Sequence, residues 1–191
     1  MSCRLLSLCF AAAFLTAGTI GYSQAGSTQK PSTPKAASGA DDAALIKSAM
    51  AAAPLEVAKD ATILNGELKV IRQGTNGWTC LPDMPASPGT DPMCLDKNGM
   101  DWAGAWMAKK DPPKDKIGVG YMLAGGSDAS NTDPFATKPN AGDRWVDTGP
   151  HLMVLNIGTY FDGYPTTAAN TKVPYVMFPG TPYAHLMIPV K

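Results

Sequence analysis

Histidine and glutamate are almost missing from this 191-residue chain, which holds only His151 and His185, and Glu56 and Glu67. So few of either leave little from which to build a glutamate acid–base pair or a His-Glu-x-x-His zinc site. Gly-x-Gly-x-x-Gly and P-loop patterns are absent, which removes the usual nucleotide cradles. No Gly-x-Ser-x-Gly elbow occurs either. An excess of either charge is lacking too, with 16 basic against 16 acidic residues, so nothing draws the chain to nucleic acid or an anionic membrane. Beyond the first residues no apolar run approaches the roughly 20 residues of a membrane span.

What is present begins with a secretory pattern. Arg4 supplies a positive start, Leu5 to Gly21 is mostly apolar, and Ser23-Gln24-Ala25 is a small-x-small cleavage site. A cut after Ala25 leaves 166 residues; it removes one basic residue and no acidic one, for a side-chain balance of −1. Residues 1–25 therefore read as a signal peptide and the product as exported, periplasmic or extracellular. Residues 26–40 (GSTQKPSTPKAASGA) have no large apolar side chain and read as a disordered linker. Residues 41–191 have the size of one domain. Cys80 and Cys94 alone survive processing and should pair under oxidising conditions, closing a loop worth about 3 kcal/mol.

Within that domain Asp41 is an expected N-cap, followed by Ile46, Ala49, Met50 and Ala53 on one helical face. Pro54 should stop that helix or open a short turn through Ala58. Asn65-Gly66 between two apolar runs predicts a tight type I′ hairpin. Leu81 to Asp96 reads as a loop. Asp96 or Asn98 should cap a second helix, reaching Lys110, with Trp102 and Trp106 on one face. Ile117 to Ala124 reads as a strand whose glycine-rich face lets a helix come close. Gly125 to Arg144 reads as a long polar loop, and strands should lie near 151–156, 173–178 and 184–190. The fold class is α+β: an antiparallel-rich sheet of about five to seven short strands with two helices on one face.

GTNGWTCLPDMP with DPMCLD, then YMLAGGSDASNTDP, GPHLM and PGTPYAHLM, span most of Gly74 to Pro189. Together these segments resemble one group of exported bacterial proteins. The resemblance implies a single exported domain and brings no activity, cofactor or catalytic residue with it.

The most specific chemistry is His-Leu-Met written twice, at 151–153 and 185–187, each after a turn and opening an apolar run. Residues two apart on a strand share a face, so each copy presents an imidazole beside a thioether. Three functions follow. The first is a binding domain rather than an enzyme, a monomer taking a small molecule or protein partner in a cleft near these strands. Trp78, Tyr121, Asn131, Asp133, His151 and His185 are its candidate contacts, an apolar lining with few polar anchors. The second is a Cu(I)-binding protein using His151, Met153, His185 and Met187, because thioether and imidazole suit copper; Met84, Met93, Met122 and Met177 are further possible partners. The third is a hydrolase with a serine, histidine and aspartate in the 125–151 region, Ser127 or Ser130 being the nucleophile. Methionine as core filler and aromatics as core weigh against all three.

Overall fold

The computed structural model describes residues 39–190 except 86, 88, 127, 128, 140, 142–144 and 159. The expected signal peptide, residues 1–25, and residues 26–38 of the expected linker lie outside the described residues. The rest belongs to one compact unit, Ala36–Lys191.

Helix α1 (Gly39–Met50) begins two residues before the expected cap and puts Asp41 and Asp42 in its first turn, where carboxylates favour the helix dipole. Pro54 precedes a single turn, α2 (Leu55–Ala58). Strands β1 (Thr62–Leu64) and β2 (Val70–Arg72) form the expected hairpin, but not through a two-residue turn. Asn65 Oδ1 accepts from the N–H groups of Glu67 and Lys69, at 3.0 and 2.9 Å, and the positive φ falls on Leu68. The side chain of Asn65 thus reinforces a backbone turn in which Leu68 N–H donates to Asn65 O at 2.9 Å, and a five-residue loop closes the hairpin. The chain then crosses back, and β3 (Thr79–Leu81) pairs parallel to β1.

The stretch after Leu81, expected to be loop throughout, contains β4 (Met93–Leu95), antiparallel to β3. Cys80 lies directly opposite Cys94 in that register, and the two are joined by a disulfide. Three residues carry too little periodicity to be seen in sequence; the cross-strand bridge holds them in register. Helix α3 (Lys97–Met107) follows, with Asp96 as N-cap accepting from Gly99 N–H at 2.7 Å. β5 (Gly118–Met122), β8 (His151–Leu155), β10 (His185–Pro189) and β9 (Tyr175–Met177) complete an eight-stranded sheet in the order β2-β1-β3-β4-β5-β8-β10-β9. Every pairing but β1–β3 is antiparallel. The expected 125–144 loop is partly ordered as β6 (Ala129–Ser130), which pairs with β7 (Trp145–Val146) in a separate ribbon. Among the described residues no helix is long and apolar enough to cross a membrane.

The helices lie on opposite faces of the sheet, not on one. Adjacent residues of a strand point to opposite faces. Buried Cys94 packs with Ala49, Ala52, Ala53 and Ile63 beneath α1, whereas Leu95 packs with Trp102 of α3. At β9, one of the sheet's two outer strands, Val176 N–H donates to Pro165 O at 2.8 Å, while the Asn131 amide donates toward Val176 O and to Thr166 O.

Helix α3 approaches β5 through glycine on both sides. A Cβ on Gly118 would stand 2.6 and 2.8 Å from the backbone N and Cα of Gly99. A Cβ on Gly120 would instead come too close only to side-chain ends, Leu95 Cδ2 and Met153 Cε, both at 2.7 Å. Backbone cannot yield as a methyl can, so Gly118→Ala should lower unfolding free energy by about 2 kcal/mol and Gly120→Ala by under about 1 kcal/mol. Urea denaturation of the two variants checks this; equal losses would remove the close helix–strand contact.

Candidate functional site

Between α3 and the sheet lies a cavity of about 200 Å³. Its lining includes the methionines at 93, 122, 153, 177 and 187, with Trp102, Trp106 and Phe178. Asp91, Thr148 and His185 are its polar members. Strand register explains the methionines. Met153 lies opposite Met187, Met177 opposite His185, and Gly120 opposite Met153. Opposed residues of an antiparallel pair share a face, so these side chains all point toward α3.

The roof is tied down at both ends. At the N-terminal end Asn98 donates to Ile117 O at 2.9 Å, beside the Gly99–Gly118 contact. At the other end Trp106 Nε1 donates to Pro134 O, and Tyr183 Oη to Lys110 O, both at 2.9 Å. The Phe135 ring meets Tyr183 edge-on at 5.3 Å between centroids. The helix therefore spans the floor without collapsing onto it.

Both histidines are buried and on the same sheet face, but their settings differ. His185 Nδ1 lies 2.9 Å from Tyr183 O, and its ring sits edge-on between Trp102 and Phe178, with centroids at 5.3 and 5.5 Å. A carbonyl only accepts, so in the neutral ring Nδ1 holds the proton and Nε2 keeps its lone pair. Burial lowers its pKa to about 4; the Tyr183 carbonyl opposes the shift, and the charge of His151 adds a smaller lowering. His151 Nδ1 lies 2.6 Å from Gly149 O, and burial lowers its pKa as well. The antiparallel register sets His151 opposite Pro189 and Met122, and His185 opposite Leu155 and Met177. The two imidazoles thus occupy opposite ends of the β8–β10 pair, and His185 alone lines the cavity.

The remaining expected contacts are scattered. Trp78 and Tyr121 pack together at 5.3 Å among the side chains under α1, on the other face. Buried Asn131 braces the backbone of Thr166 and Val176, and exposed Asp133 accepts from Phe135 N–H at 2.8 Å in a local turn. Of the four residues expected to hold copper, Met153, His185 and Met187 line the cavity and His151 does not. Met93, Met122 and Met177 line it as well, while Met84 is exposed. Ser130 Oγ accepts from the N–H groups of Thr132 and Asp133, at 3.2 and 2.9 Å, so its hydroxyl serves a turn; Ser127 lies outside the described residues.

Trp102, Trp106, Phe178 and Asp91 line the cavity without having been expected there from the sequence. The first two were legible as one helical face but not as a roof. Asp91 is 8 % exposed, accepts from Met84 N–H at 3.1 Å, and lies beside Asp83. Burial raises its carboxyl pKa, and Asp83 adds to the rise.

The histidines set a pH limit. A pKa depressed in the native state means that the unfolded chain takes up the proton first, so stability declines as pH falls from 6.5 toward about 4. For His185 the loss should be on the order of 3 kcal/mol, with His151 adding in the same direction and Asp91 opposing. Urea midpoints measured across that window should fall in the parent chain and flatten in His185→Gln; parallel curves would exclude His185 as the source. No family model, curated protein or solved structure matches this chain.

Proposed function

We propose that the chain is an exported binding protein whose site is the methionine-lined cavity beneath α3. The cavity itself carries this reading. A methionine wall with aromatic rings and few polar groups is the lining of a site for a small, weakly hydrated ligand. An apolar cavity of about 150 Å³ is already large enough for benzene or xenon, and this one is about 200 Å³. Methionine side chains are soft and unbranched, so they adjust around an occupant at little cost. The N-terminal signal pattern and the Cys80–Cys94 disulfide support export, since such bridges persist in oxidising compartments. Binding is favoured over hydrolysis because Ser130 Oγ is engaged in a turn, accepting from the N–H groups of Thr132 and Asp133.

Indole and xenon are suitable probes, read by NMR of protein carrying ¹³C at the methionine ε-methyls. Resonances of Met93, Met122, Met153, Met177 and Met187 should shift saturably, while those of exposed Met84 and Met107 stay fixed. Ala103 lines the same cavity, and Ala103→Phe should weaken the response by roughly tenfold or more by filling it. Absent or uniform shifts would remove the cavity as a binding site.

A further inference from the structure

On the cavity floor the positions of Met153, Met187, His185 and Met177 form one contiguous block. Met153 and Met187 are a cross-strand pair, and so are His185 and Met177. His185 and Met187 are two apart on β10 and share its face. Met153 and Met177 stand on the two strands that flank β10, each opposed to one of Met187 and His185 and diagonal to the other. Opposed Cβ atoms on a sheet are roughly 5 Å apart and diagonal ones roughly 7–8 Å, spans that methionine's flexible chain can close toward β10. Three thioethers can therefore turn toward one point beside His185.

Resting on the cavity being a binding site, we infer that its floor is a Cu(I) site. The ligands are the sulfur atoms of Met153, Met177 and Met187 and Nε2 of His185. Ligand chemistry selects the ion. Thioether is a soft donor and imidazole suits copper, whereas hard divalent ions need carboxylates or carbonyls. Among the described residues no group of three or more histidine, cysteine, aspartate or glutamate side chains could hold a metal, and both described cysteines are in the disulfide. The four ligands are all neutral, so the occupied site carries a single positive charge. A largely apolar wall tolerates that far better than a double charge, because the desolvation cost rises steeply with charge.

His185 also has the arrangement of a metal-binding imidazole. Its Nδ1–H is held by the Tyr183 carbonyl, which fixes the ring and the tautomer and leaves Nε2 for the ion. Trp102 and Phe178 pack edge-on around that ring and keep water from it. His151 has the same carbonyl contact but faces Gly126 and Thr148 at the strand end, away from the thioether block.

Anaerobic titration of the purified protein with the coloured Cu(I)–bicinchoninate complex tests this. One equivalent of copper should leave the complex. Met153→Leu/Met187→Leu, which keeps apolar volume, should weaken uptake by roughly 100-fold, and His185→Gln by roughly tenfold or more. Met84→Leu/Met107→Leu should match the parent within about twofold, both residues being exposed. Tryptophan fluorescence verifies that each variant is folded. Uptake that is unchanged in the Met153/Met187 variant would place copper elsewhere and overturn the site. Indole shifts of the cavity methyls without Cu(I) uptake would overturn copper and leave the cavity reading intact, whereas silence toward both would end both.

Discussion

Both cores of the molecule depend on the sidedness of one three-residue strand. In β4, Cys94 turns toward α1 and Leu95 toward α3, because neighbouring residues of a strand face opposite ways. The disulfide to Cys80 fixes the register of that strand with β3. A slip of one residue would send Cys94 into the methionine side and Leu95 into the alanine side. The bridge therefore does more than shorten the unfolded chain. It decides which side chains belong to which layer.

The two layers use different packing materials. Under α1 the core is alanine and isoleucine around the disulfide, small groups that bring helix and sheet close. Under α3 it is methionine and aromatic, and the helix is anchored at its ends over a gap. The first arrangement fills space. The second leaves it, lined with polarizable sulfur, and only the second carries a histidine whose free nitrogen belongs to the cavity.

The sequence made some of this plain. Alternation after each turn marks β8 and β10 as strands, and the shared phase of the two His-Leu-Met copies puts both histidines and both methionines on one face. The glycine pattern of β5 foretold the close helix, and Asp96 its cap. Phase, however, does not give register. Antiparallel pairing offsets the copies, so Met153 meets Met187 while the histidines separate to opposite ends. Asn65-Gly66 misled because the Asn65 side chain adds bonds to the backbone ones and supports a longer, five-residue loop, and β4 stayed hidden because its order comes from a partner strand. Trp78 and Tyr121 were sound as apolar residues but had no sign to say which layer they join.

Asn131 has a consequence that its expected role as a ligand contact concealed. A sheet's last strand normally offers a ladder of unmet donors and acceptors to any passing chain. In β9 that ladder is already occupied at its centre, with Val176 donating to Pro165 and its carbonyl facing the Asn131 amide. The neighbouring Phe178 N–H is taken by Asn131 O at 3.0 Å. Pro165 and one buried asparagine thus cap the centre of this edge, one of the sheet's two, against fibre-like growth by strand addition, leaving the hydrophobic β9 side chains for the interior.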